Sequence, residues 1–222
     1  MKKIFFAVSI CLLLASLASA ELMMSACPLG KGKWGLMPGA MVDFNYAAMG
    51  GNSYMMMDSF GYGLNDRVDL YGTLGVGYSA RTGVMNPMTM TSYALDLKYS
   101  IWSENLTTPY SLAANFGLKS MPMSMTSMNQ MQGSLGLVVS KMMGNFNPYA
   151  GLTYRSTRQG YGDFSQVDWT IGTGIGPMDK MLTIEYTLQL YSVASGTSLA
   201  TLVNGNNYSS SQITIGGCLA LN

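Results

Sequence analysis

Residues 61–79, GYGLNDRVDLYGTLGVGYS, fold back on themselves at Asn65-Asp66 and alternate on both sides of that turn. Val68, Leu70, Leu74, Val76 and Tyr78 share one face of the longer arm, and Arg67, Asp69, Tyr71, Thr73, Gly75 and Gly77 share the other. Successive side chains of a strand point to opposite faces, so the stretch is a ribbon with one apolar face and one polar, glycine-rich face. The same unit, with other residues, recurs to the C-terminus. A soluble sandwich turns the apolar face inward, whereas a transmembrane barrel turns it outward to lipid.

Residues 1–20, MKKIFFAVSICLLLASLASA, have the layout of a cleaved secretory signal: two lysines, an apolar run and a small-residue end at Ala18-Ser19-Ala20. The expected mature chain starts at Glu21, with an N-terminal periplasmic segment over 21–33 and one domain over 34–222. Without Lys2 and Lys3 the chain carries ten cations and eleven anions. No basic stripe remains for nucleic acid. Only 10% of the residues are charged, low for an exported soluble domain. No later run of eighteen apolar residues exists, so no helix is expected to span a membrane. A secreted all-β sandwich and an outer-membrane barrel are left, and the barrel is the better fit.

Ten alternating segments lie near 34–46, 54–64, 67–79, 91–102, 110–120, 130–141, 148–157, 167–176, 181–192 and 212–221. Most are longer than soluble strands and match the length needed to cross a bilayer at a tilt. Their connections alternate in length. Those at 65–66, 103–109, 142–147 and 177–180 are short and rich in turn formers, and those at 80–90, 121–129, 158–166 and 193–211 are longer. Short periplasmic turns, longer outside loops and both termini on the periplasmic side are the signature of a bacterial barrel. The expected fold is all-β: a closed antiparallel up-and-down transmembrane β-barrel of about ten strands, with eight as the smaller count.

With GLNDRVDLYGTLGVGY (residues 63–78) as its clearest repeat unit, the chain resembles the small bacterial outer-membrane β-barrels of OmpA/OmpX-like architecture. The resemblance implies fold, outer-membrane localisation and contact with lipid, and says little about activity. The chain ends Leu219-Ala220-Leu221-Asn222, where such barrels usually end in an aromatic residue.

If the apolar faces meet lipid, the opposite faces place Asp43, Arg67, Asp69, Asp96, Lys98, Lys119, Arg155, Asp168 and Glu185 inside. Five acids against four bases suit an interior knitted by ion pairs better than a pore, which wants one sign in excess. Ten strands also leave a lumen that side chains largely fill. The sequence therefore reads as a monomeric barrel with a mostly plugged interior and a structural or surface-interaction role, meeting any ligand through its outside loops. The second reading is a narrow, weakly selective porin-like channel for small solutes.

The chain has no histidine, which removes Ser-His and Cys-His nucleophilic machinery, and no enzyme activity is expected. Cys11 leaves with the signal. Cys27 and Cys218 then lie at the periplasmic end of the closing seam, in an oxidising compartment, and a disulfide between them is expected. The sequence has twenty-one methionines, with Met55-Met56-Met57, Met85, Met88 and Met90, and the run 121–131 falling in expected outside loops and strand tips. Thioethers are soft ligands that select Cu(I). The spacing of Met121, Met123, Met125 and Met128 looks like the methionine motifs of copper-handling proteins, and makes a Cu(I)-binding outer-membrane protein the third reading. Otherwise these methionines are adaptable apolar packing at the membrane rim.

Overall fold

The computed structural model describes residues 26–46, 51–80, 88–122, 129–159, 162–194 and 211–221. The expected signal, residues 1–20, lies outside them. Ten strands form: β1 (Trp34–Tyr46), β2 (Gly51–Gly63), β3 (Val68–Ala80), β4 (Met88–Trp102), β5 (Ser111–Pro122), β6 (Asn129–Ser140), β7 (Phe146–Gln159), β8 (Gly162–Ile175), β9 (Lys180–Ala194) and β10 (Ser211–Leu221). Each pairs antiparallel with its sequence neighbours, and β1 closes on β10 from Trp34↔Leu221 to Phe44↔Ser211. Closure leaves no edge strand to pair with another chain.

Alternation decides which face is out. Leu74 (57%), Val76 (59%), Leu95 (53%) and Ile171 (40%) are exposed on the outer wall, whereas Asp69, Ser92 and Thr214 are sealed inside at 0%. The barrel thus has the lipid-facing polarity of a membrane protein, with no shared dry centre for its leucines. Aromatic pairs mark both ends of this belt. Trp34 stands 4.6 Å from Tyr62 and Trp102 lies 5.9 Å from Tyr110 at the end of the short turns. Tyr54 stacks on Tyr78 at 5.1 Å near the other end.

The strands run further toward the outside than the sequence pattern suggested. β7 and β8 stay paired through Arg158↔Asp163 and Gln159↔Gly162, leaving only residues 160–161 between them where a connection over 158–166 was expected. Beyond the hydrocarbon both faces of a hairpin meet water, so its residues need not alternate and the pattern fades before the strand does. β2 and β4 likewise begin three residues earlier than expected, at Gly51 and Met88.

The lumen is filled through a repeated pairing of a large inward side chain with a cross-strand glycine. Tyr71 pairs with Gly61, Met57 with Gly75, Met55 with Gly77 and Tyr149 with Gly172. In each pair a Cβ on the glycine would collide with its partner, at the side chain for Tyr71, Met57 and Tyr149 and at the strand beside Met55. The missing side chains are the space into which the large ones fold.

Candidate functional site

The mouth at the short-turn end of the barrel, the end expected to face the periplasm, is crossed by the segment preceding β1. The Ala26 N–H donates to Ser140 Oγ at the end of β6 (3.0 Å), and Ala26 is buried with Ala113, Val138 and Tyr149. The Cys27 carbonyl accepts from Lys98 Nζ on β4 at 2.6 Å, and the Leu29 N–H donates to Asp69 Oδ2 on β3 at 3.0 Å. Residues 26–29 therefore bridge the lumen from β6 toward β2 and β3. Gly30 and Gly32, with φ of 91° and 75°, then turn the chain up into β1, a conformation glycine adopts without strain. Gly32 and Lys33 exchange backbone hydrogen bonds with Gly63 at 2.8 and 2.9 Å, and a Cβ on Gly63 would strike the Gly30 carbonyl.

Above this cork lies a buried polar layer. Asp69 Oδ2 receives Lys98 Nζ (3.2 Å), the Tyr71 hydroxyl (3.0 Å) and the Leu29 N–H together, while Lys98 Nζ sits 5.4 Å from the centre of the Tyr71 ring. Across the barrel, Arg155 Nε lies 2.9 Å from Asp168 Oδ2, Gln166 donates to the same carboxylate, and the Tyr149 hydroxyl donates to Glu185 Oε2 at 3.0 Å. Cross-strand hydroxyl pairs, Ser59 with Thr73 (2.7 Å) and Thr170 with Thr187 (2.9 Å), complete the lining. A cavity of about 70 Å³ remains at mid-barrel, lined in part by Asp96, Lys98, Asn115, Lys119, Thr153 and Arg155. That is room for a few waters, and its polar walls suit them.

Eight of the nine expected lumen charges stand on inward faces. Asp69, Lys98, Asp168 and Glu185 are buried, and Asp43, Asp96, Lys119 and Arg155 are half-buried. Arg67 departs from expectation. It stands exposed in the turn between β2 and β3, because Asn65 Oδ1 caps the N–H groups of Arg67 and Val68 and the strand begins one residue later.

The expected Cys27–Cys218 bridge is not formed, and both residues carry thiols. Cys27 Sγ lies 3.9 Å from Ser111 Oγ on β5, and β5 stands opposite β10 in the ring, five strands from Cys218. The sequence placed Cys27 beside the seam because it precedes β1. It missed that residues 26–33 leave the seam and cross the mouth.

The methionines are also differently placed. Met41, Met55, Met57, Met90 and Met121 point inward and form one buried cluster in the outer half of the lumen, whereas Met56 and Met131 face out. Met121 belongs to β5, and Met123, Met125 and Met128 lie outside the described residues, as does Met85. The inward set could have been found from parity, since Met55 and Met57 alternate in step with Ser53 and Ser59. Among the described residues no group of three or more His, Cys, Asp or Glu is arranged to hold a metal ion.

A meander of ten antiparallel strands closed by its first and last, apolar outside and polar within, is a known solution. This is the fold of an outer-membrane β-barrel. The chain is similar to the COG4313 outer membrane channel from Pseudomonas putida F1, with a TM-score of 0.56 and 9% identity over 92% of this chain and 100% of that one. It is similar also to the beta domain of the Bordetella autotransporter BrkA, at 0.52 and 10% over 84% and 97%. The translocator domain of the autotransporter NalP from Neisseria meningitidis gives 0.49 and 12% over 86% and 89%. No family model matches the chain, and no curated protein matches it. At these identities the likeness is one of fold, and the apolar outer wall and polar lumen are this barrel's own evidence for the outer membrane.

Proposed function

We propose that this protein is a monomeric, non-enzymatic outer-membrane barrel with a closed interior, serving a structural or surface-interaction role through its outside loops. The observation that carries this reading is the cork. Residues 26–29 span the periplasmic mouth and are held to β3, β4 and β6 by Asp69, Lys98 and Ser140. Each of those wall groups is buried, so removing the segment would strip partners from polar atoms that water does not reach. The absence of histidine supports a role without general acid–base chemistry near neutral pH.

A narrow channel is the second reading. It is favoured by the mid-barrel cavity and by the likeness to an outer membrane channel at a TM-score of 0.56. Planar-bilayer recording separates the two. The full mature chain is expected to be silent, and a variant lacking residues 21–33 is expected to open discretely. Discrete openings of the full chain would replace the first reading with the second.

A further inference from the structure

We infer that the outer half of the lumen is a thioether site for a soft monovalent cation of the Cu(I) or Ag(I) class, built from Met41, Met55, Met57, Met90 and Met121. This site does not depend on whether the lumen conducts, and it is distinct from the run at 123–128.

The first observation is selective placement. Among the described residues, the buried apolar side chains are seven methionines, two alanines, two tyrosines and one valine, with no leucine, isoleucine, phenylalanine or tryptophan. The outer wall of the same barrel is built from Leu, Ile, Val and aromatic residues, with Met56 and Met131 among its few methionines. A lumen that needed only apolar filling could draw on that same stock. This one uses thioethers for seven of those twelve positions, and the five clustered residues have no other side-chain type among them.

The second observation is how register gathers the sulfurs. Met41 pairs with Met55, Met55 with Gly77, and Gly77 with Met90, so three methionines and one glycine form a single row around β1 to β4. In the next row down, Met57 pairs with Gly75, and Gly75 with Ser92. Gly75 and Gly77 bare the inner wall of β3 at these two levels. A Cβ at Gly75 would collide with the Met57 side chain, and one at Gly77 with the β2 backbone at Tyr54 and Met55. The bare wall at Gly75 lets the Met57 thioether from β2 lie across β3, and at Gly77 the β2 backbone itself comes close to β3.

The third observation is charge. A monovalent cation among neutral thioethers needs a nearby anion. Asp43 stands on the inward face of β1, two residues beyond Met41, and its Oδ1 is buried with no hydrogen-bond partner among the described residues. Met57 also lines the mid-barrel cavity, so the cluster opens onto internal space. Thioether sulfur suits a soft cation and discriminates against Na⁺, Mg²⁺ and Ca²⁺, which demand oxygen ligands.

Ag(I), which does not change oxidation state during the measurement, is the probe. It is titrated into the refolded full chain carrying 13C-methyl methionine, and the methionine methyl resonances are followed. The methyls of the five lumen residues are expected to shift saturably while those of Met56 and Met131 stay in place. A Met55→Leu/Met57→Leu double variant is expected to lose at least tenfold in Ag(I) affinity, and a Met123→Leu/Met125→Leu/Met128→Leu variant to keep it. Unmoved lumen methyls in the wild-type protein would overturn the site without reliance on any variant. An affinity lost only in the 123–128 variant would overturn it equally. Conductance of the metal-free protein is measured separately, so failure of this site leaves the proposed closed barrel standing.

Discussion

Tyr149 on β7 lies across Gly172, its register partner on β8, in the space a side chain at Gly172 would occupy, and from there its hydroxyl reaches Glu185 on β9 at 3.0 Å. One glycine thus lets an aromatic ring span a neighbouring strand and donate to one oxygen of a buried acid two strands away. Gly172→Ala is expected to destabilise the barrel by about 1–3 kcal/mol, the usual cost of overpacking a filled interior. Gly72→Ala is the control. Gly72 faces outward with open space around it, and its substitution should change stability by less than about 0.5 kcal/mol. Denaturant unfolding in lipid vesicles measures both, and equal effects would show that ring and glycine do not fit as described.

The Asp69–Lys98 pair supports the cork as well as the wall, since Asp69 receives Leu29 and Lys98 donates to Cys27. Lys98→Met leaves a buried carboxylate without its counter-charge and is expected to cost about 3–5 kcal/mol. Lys98→Met combined with Asp69→Asn removes both charges and should recover part of that loss. The comparison of the single and double variants by denaturant unfolding is the check, and strict additivity would mean the two side chains do not interact.

Strand number, antiparallel order and outward polarity were legible because the hydrocarbon layer forces alternation on every strand that crosses it. Leu74, Val76, Leu95 and Ile171 had no other face to occupy. The lumen charges followed from the same parity. What could not be read was whatever escapes period two. Arg67 sits where a turn capped by Asn65 shifts the strand start by one residue, enough to remove its side chain from the interior. Residues 26–33 do not alternate, and Gly30 and Gly32 turn the chain from the mouth into β1 by backbone angles that composition does not display. The methionine cluster was legible and misread: sequence proximity grouped Met55, Met56 and Met57, but parity sends the outer two inward and the middle one to lipid.

The position of Cys27 against Ser111, on the wall facing Cys218, predicts two thiols in the folded protein. Alkylation after denaturation without reductant, followed by intact mass, should show two added groups on the mature chain. A mass with none added would place Cys27 beside β10 instead and require the cork to follow a different path across the mouth.

Asp58 is the acid that breaks the pattern of the outer wall. It lies at the middle of β2 and alternates with the exposed Met56 and Phe60, so it faces lipid between Pro38 of β1 and Leu74 of β3. Pro38 offers no N–H, and Asp58 Oδ1 has no hydrogen-bond partner among the described residues. A carboxyl group held against acyl chains at mid-depth is costly, though less so than a basic residue in the same place. Asp58→Leu is therefore expected to stabilise the barrel, by on the order of 1–2 kcal/mol, when unfolding is measured in phospholipid vesicles. In a thin detergent belt, where water reaches the group, the gain should shrink. A loss of stability in both media would mean that Asp58 is satisfied by a polar group at that face, and that this part of the wall does not meet lipid.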